Sequence, residues 1–141
     1  MKTEFSAISP DGILSIWNRI APLFEKIINR RQQGSLENLF FRLAIQKRDL
    51  LWVAWEKDNL DNILMVVITR LVEEEPHNIL EILTCAGEKK DLWLEYFTVL
   101  EEFAKDNNCK RIQIINGRKG WKKDLVKRGM RITGYAFEKR I

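Results

Sequence analysis

Between Ile79 and Ile115 the hydrophobic pattern switches from strand to helix and back, and this restricts the fold more than any other stretch. Ile79 to Cys85 is a short apolar run that reads as a strand, and Cys85-Ala86-Gly87-Glu88-Lys89-Lys90 is a loop of small and charged residues. A helix opens at Asp91, with Leu92, Trp93, Tyr96, Phe97, Leu100, Phe103 and Ala104 on one broad face. Asn107-Asn108 closes it, since Asn tolerates the left-handed C-terminal position, and Arg111 to Ile115 returns to a half-buried strand. A strand feeding a helix N-terminus through such a loop presents unsatisfied N–H donors and about half a positive charge. That combination suits a pyrophosphate. Next come Asn116-Gly117-Arg118-Lys119-Gly120-Trp121 and a basic helix, Lys122 to Arg128, stopped by Gly129. The final strand is expected over Arg131 to Arg140, alternating Ile132, Gly134 and Ala136 against Thr133, Tyr135 and Phe137.

The first half supplies the remaining elements. Thr3 to Ile8 reads as a first strand, and Pro10-Asp11-Gly12 opens a helix with Ile13, Ile16, Trp17, Ile20, Phe24, Ile27 and Ile28 at helical spacing. Pro22 is expected to kink or split that helix, because it removes a backbone donor. Gly34 ends it, and Ser35 caps a second helix carrying Leu36, Leu39, Phe40, Leu43 and Ala44. Leu50 to Trp55 is a continuous apolar strand. Lys57 to Asn62 has the composition of a hairpin turn. Ile63 to Leu71 is a long strand extended by Val72-Glu73-Glu74-Glu75, and Pro76-His77-Asn78 turns into the strand from Ile79. The order β, α, α, β, β, β, α, β, α, β implies an α/β (α+β layered) domain with a mixed, mostly antiparallel central sheet flanked by helices.

Size and composition exclude several classes. At 141 residues one domain, 1–141, is expected, with five Trp and seven Phe for its core. No apolar run approaches the roughly 20 residues of a membrane span, and Met1-Lys2-Thr3-Glu4-Phe5 lacks a signal-peptide core. A cytoplasmic location follows as the default, supported by only two cysteines, Cys85 and Cys109. Metal ligands are too few for a site. His77 is the sole histidine and sits in a turn, which argues against a Ser-His-Asp or Cys-His catalytic set. Lys105 to Ile141 holds twelve Lys and Arg against three Asp and Glu, whereas residues 1–104 hold twelve against seventeen. The basic end is either a solvated face or a surface that meets phosphate or an acidic partner.

The element order resembles that of the GNAT N-acetyltransferase fold over nearly the whole chain. More narrowly it is similar to short GNAT-like proteins carried by bacteriophages. The pieces that carry the resemblance are Ile16-Trp17 in the first helix, Leu51-Trp52-Val53, the strand end Ile68-Thr69, the loop Ala86-Gly87, Trp93-Leu94 and Arg118-Lys119-Gly120-Trp121. The resemblance implies an acyl-CoA-dependent acyltransferase using acetyl-CoA and an amine acceptor, in a host cytoplasm or a virion. It would lay the pantetheine arm along Leu83, Thr84 and Cys85. The phosphates would then sit over Gly87 to Asp91, with Lys89, Lys90 and Arg118 as counter-charges.

Two features depart from that pattern. The usual loop Q/R-x-x-G-x-G/A is replaced by Ala86-Gly87-Glu88-Lys89-Lys90-Asp91, whose acidic groups oppose phosphate unless turned away. The last-helix tyrosine that protonates the thiolate is replaced by Leu125. Only Tyr96 and Tyr135 remain, and Tyr96 reads as core. Glu81 interrupts the strand Ile79–Cys85 and is the candidate base; among apolar neighbours a carboxylate's pKa rises, although a solvent-facing glutamate fits the alternation as well. Tyr135 is the remaining candidate acid. Arg118 and Trp121 either border the cleft or are solvated and packed on the sheet edge. Three functions stay open: the acyltransferase; a catalytically degenerate GNAT-fold protein that binds a protein partner; and nucleic-acid binding through the basic end, which is the least expected. A homodimer is compatible with each.

Overall fold

The computed structural model describes residues 2–31, 34–87, 90–115 and 117–141. β1 (Thr3–Ile8) leads into α1 (Pro10–Arg31) and α2 (Leu36–Phe40), which runs on into a π-helical turn, Phe41–Ile45. Three strands follow, β2 (Leu50–Glu56), β3 (Asn59–Val72) and β4 (Asn78–Gly87), and then α3 (Lys90–Asp106) and β5 (Cys109–Ile114). A 3-10 turn at Lys119–Trp121 precedes α4 (Lys122–Lys127). The sheet order is β1-β2-β3-β4-β5; the first four strands are antiparallel to their neighbours, and β5 is parallel to β4.

The uninterrupted apolar run at Leu50–Trp55 has a direct explanation, because both faces of the sheet are covered. Leu51 and Val53 of β2, with Val66 and Ile68 of β3, point to α1, α2 and the π-helical turn, where they meet Ile13, Ile20, Phe24, Leu39 and Leu43. Trp52, Ala54, Met65 and Val67 point the other way, onto Trp93, Phe97 and Leu100 of α3. β4 contributes Leu80 and Ile82 to the α3 side. The Trp52 indole N–H donates to the Thr69 hydroxyl at 2.9 Å in this core. Tyr96 stacks on Phe5 with ring centroids 4.7 Å apart and hydrogen-bonds the Thr3 hydroxyl, so it is a core residue as expected.

Several local expectations hold for the expected reason. Ser35 accepts from the Asn38 backbone N–H at 3.1 Å, and Asn108 takes the left-handed conformation at φ 59°. Gly129, at φ 88°, ends α4 in a Schellman motif: its N–H bonds the Val126 carbonyl and the Met130 N–H bonds that of Leu125, each at 3.0 Å.

Others are corrected. Pro22 neither ends nor divides α1, which is 22 residues long in all; Pro22 and Asn18 are exposed, so the carbonyl that the proline leaves without a donor is on the solvent side of the helix. The β2–β3 turn is only Lys57-Asp58, with Asp58 at φ 68°, and residues 59–62 already belong to β3. That strand stops at Val72, short of the three glutamates. Residues 131–140 form no strand; every one is exposed. One of the two alternating sets, Ile132, Gly134 and Ala136, brings one large apolar side chain, and the aromatic residues of the other, Tyr135 and Phe137, are exposed.

Candidate functional site

The site begins where β4 and β5 part. Their ladder runs from Asn78↔Cys109 to Ile82↔Ile114, and the Ile115 N–H bonds the Ile82 carbonyl at 3.0 Å. β4 nevertheless continues to Gly87, held only by β3 on its other side. The register to β3 also breaks here, between Ile68↔Thr84 and Thr69↔Ile82, leaving Leu83 as a bulge. The outward backbone groups of residues 83–87 therefore have no strand partner among the described residues, and such groups require one. Leu83, Thr84 and Cys85, the residues expected along a pantetheine arm, are in this segment.

Gly87 ends it. A Cβ there would stand 2.5 Å from the Leu64 carbonyl oxygen and 2.9 Å from Met65 Cα, so close packing of β4 on β3 requires the glycine. Glu88 and Lys89 lie outside the described residues, as does Asn116. Lys90 is the first residue of α3, and Asp91 sits exposed in its first turn, where a carboxylate stabilises the helix dipole.

On the α3 side, burial pushes the Cys85 thiol up to about 12, against a smaller opposing effect from the positive charge of Arg118. Cys85 is thus a neutral group at physiological pH, and Arg118 is within electrostatic reach of it. Arg118 itself is exposed and lies over the Trp121 ring at 5.8 Å. Trp121 packs at 5.7 Å from Trp93, and Arg128 donates to the Leu94 carbonyl at 2.6 Å, so α4 is fastened to α3 at both ends. Both cysteines are free.

On the opposite face, α1, α2, β3 and β4 enclose a cleft of about 380 Å³. Phe24, Ile27, Leu39 and Ile68 form its apolar walls; Leu83 and Thr84 line it from the unpaired part of β4. Its polar lining includes Ser35, Asn38, Arg42 and Arg70. Behind the two arginines lies Asp49, whose side chain is fully buried. Arg70 grips it in a fork, Nε to Oδ1 at 2.7 Å and Nη2 to Oδ2 at 3.2 Å, while Arg42 Nη1 stands 3.9 Å from Oδ2. The hydrogen bond to Asp49 is the main cause raising the Arg70 pKa above its usual value.

Sequence reasoning missed this Arg42–Asp49–Arg70 group. Two signals were present: an aspartate directly before a six-residue apolar strand, and an arginine inside a β-branched one. Glu81 is half-buried, opposite Arg70 in the β3–β4 ladder and hence on the same face, but it is not among the residues lining the cleft. Tyr135 lies elsewhere. It is 81% exposed and lines a second cleft of about 560 Å³, between β5, α4 and the tail, together with Arg118, Lys122, Leu125 and Arg131. Glu81 lines neither cleft, although its ladder partner on β5, Gln113, lines the second one with Tyr135. His77 is exposed, and the described residues contain no cluster fit to hold a metal ion. No helix among them is long and apolar enough to cross a membrane.

No protein-family model and no curated protein sequence matches the chain. Solved structures do match it along its whole length. An aminoglycoside acetyltransferase from an uncultured soil metagenomic sample superposes with TM-score 0.72 at 11% identity, covering 99% of this chain and 96% of that one. A ribosomal-protein-alanine N-acetyltransferase from Brucella melitensis gives 0.70 at 10% identity, with 99% of each chain covered. A GNAT family acetyltransferase from Staphylococcus aureus gives 0.69 at 17%, with 100% of each covered. The chain therefore has the fold of the GNAT acetyltransferases, as its element order implied.

Proposed function

We propose that the protein is an acyl-CoA-dependent N-acyltransferase, with acetyl-CoA as cosubstrate and a small amine as acceptor. One observation carries this reading: Leu83 and Thr84 belong at once to the unpaired edge of β4 and to the wall of the 380 Å³ cleft. An extended amide-bearing arm paired with residues 83–85 would bring its thioester to the mouth of a pocket large enough for a small amine. In this reading the phosphates reach the start of α3, where Asp91 is exposed, with Arg118 as a counter-charge and Lys89 and Lys90 joining it on the sequence alone. Thioester aminolysis needs one base. Glu81, on the cleft's face of the sheet but outside its lining, would take one proton from the incoming ammonium through solvent; the amine then attacks the carbonyl, a C–N bond forms, the nitrogen gives its second proton to solvent, and the C–S bond breaks. The departing thiolate takes its proton from solvent, or from Tyr135 if the tail folds over the β5 edge.

Calorimetric titration with acetyl-CoA, paired with amide shifts of the labelled protein, tests this reading. Micromolar binding with the largest shifts at Leu83, Thr84 and Cys85 is the expected result. No binding at millimolar acetyl-CoA overturns it. The second reading, a GNAT-fold protein that acts by binding a partner in a phage-infected host or a virion, then takes its place. Leu125, standing in the last helix where the resemblance calls for a tyrosine, supports that alternative.

A further inference from the structure

We infer that the α2–β3–β4 cleft is built for an acceptor that carries an oxyanion, a carboxylate or a phosphate, on an apolar body. The word acceptor rests on the acyltransferase reading; the anion site does not. Among the described residues two guanidinium groups and no carboxylate line the cleft. Asp49 accounts for Arg70, whose Nε and Nη2 it occupies, but it lies 3.9 Å from Arg42, beyond hydrogen-bonding range. Arg42 Nε is buried with no hydrogen-bond partner. A guanidinium held by charge yet short of acceptors is primed for one more oxyanion, and the planar fork of Arg suits a carboxylate or phosphate.

The backbone accounts for how Arg42 reaches this place. It is the second residue of the π-helical turn Phe41–Ile45, closed by the Gln46 N–H to the Phe41 carbonyl at 2.9 Å, and such turns are frequent at functional sites. Among the described residues Glu81 also faces this group: it acts on Arg70 across the ladder through its charge, while Arg42 has the Asp49 carboxylate at 3.9 Å. Around the arginines, Phe24, Ile27, Leu39 and Ile68 offer an apolar wall, so the body that accompanies the anion is a hydrocarbon one. A polycationic amine, such as an aminoglycoside, would instead meet like charge and is excluded from this cleft.

The test uses ligands without an amine: 4-methylpentanoate, its uncharged amide, and 3-methylbutyl phosphate. Each is titrated calorimetrically into the wild type, Arg42→Met and Arg42→Lys, with far-UV circular dichroism confirming that the variants are folded. The expected result is that one or both anions bind about tenfold or more tighter than the amide. Arg42→Met should erase that difference and Arg42→Lys should keep part of it. Whichever anion prevails identifies the source. Equal binding of anion and amide, no binding of either, or a preference that survives Arg42→Met overturns the inference. A wild type that keeps its anion preference yet binds no acetyl-CoA leaves this site standing and removes the acyltransferase reading. Acetyl-CoA binding without anion preference does the reverse.

Discussion

The hydrogen bond from Trp52 to Thr69 offers a stringent test of how the α3 side of the sheet is held. Both residues are almost fully buried, at 5% and 1% exposure, and the N···O distance is 2.9 Å. Thr69→Val keeps the shape of the side chain but leaves the indole N–H in an apolar core with nothing to donate to. An orphaned neutral donor costs about 1–3 kcal/mol. For a chain of this length that lowers the melting temperature by about 3–10 °C. Packing changes could imitate such a loss, so the measurement is a double-mutant cycle with Trp52→Phe, followed by urea unfolding monitored by far-UV circular dichroism. In the Trp52→Phe background no donor remains, and Thr69→Val should then be close to neutral, giving a coupling of about 1–2 kcal/mol. If Thr69→Val costs the same in both backgrounds to within about 0.5 kcal/mol, the bond is not what holds the pair and the reasoning fails.

Three further outcomes follow from the site. Asp49→Asn strips Arg70 of its counter-charge and should destabilise by about 2–4 kcal/mol in urea unfolding, somewhat below the value for a fully buried pair because Arg70 still reaches solvent. Gly87→Ala drives a Cβ against the Leu64 carbonyl and should cost about 1–3 kcal/mol, with loss of acetyl-CoA affinity as the β4 end shifts; unchanged melting would refute the close approach. The raised Cys85 pKa makes the thiol slow to react with iodoacetamide at pH 8 until the protein is unfolded. The folded state then holds a proton that the unfolded state releases, so the stabilising effect is complete below about pH 8.5 and is lost as pH climbs toward about 12. Cys85→Ala should flatten that alkaline decline.

What could be read from the sequence was whatever depends on local periodicity. The seven-residue apolar stripe of α1, the broad face of α3, the doubly covered run at Leu50–Trp55 and the stop at Gly129 each follow from spacing or from one residue's backbone freedom. The element order was accordingly legible, and the fold it implied is that of the solved acetyltransferases. What escaped notice depends on where the register places distant residues. Arg42, Asp49 and Arg70 look like three separate charges until a π-helical turn and the β2–β3 pairing bring them together. Gly87 resembled a loop glycine answering to phosphate, yet the Leu64 carbonyl beside it supplies a steric reason of its own. The tail misled for the opposite reason: period-two alternation does not suffice for a strand, and Ile132, Tyr135 and Phe137 stay exposed, with nothing among the described residues packed over them to hold residues 131–140 on the sheet.

The order of strands across the sheet is also their order along the chain. No strand has to be inserted between two that are already paired, so the sheet grows by addition at one edge as the polypeptide leaves the ribosome, N-terminus first. The exception is the first strand made. β1 pairs with Leu50–Glu56, beyond both N-terminal helices, so it must wait unpartnered until that segment has emerged. The hairpins β2–β3 and β3–β4 close much shorter loops and gain their contacts at lower entropic cost. Assembly therefore starts in the middle of the chain and reaches back for its beginning. α1 and α2 lie in the chain between β1 and β2, so the segment that roofs the 380 Å³ cleft is the same one that pairing β1 with β2 closes.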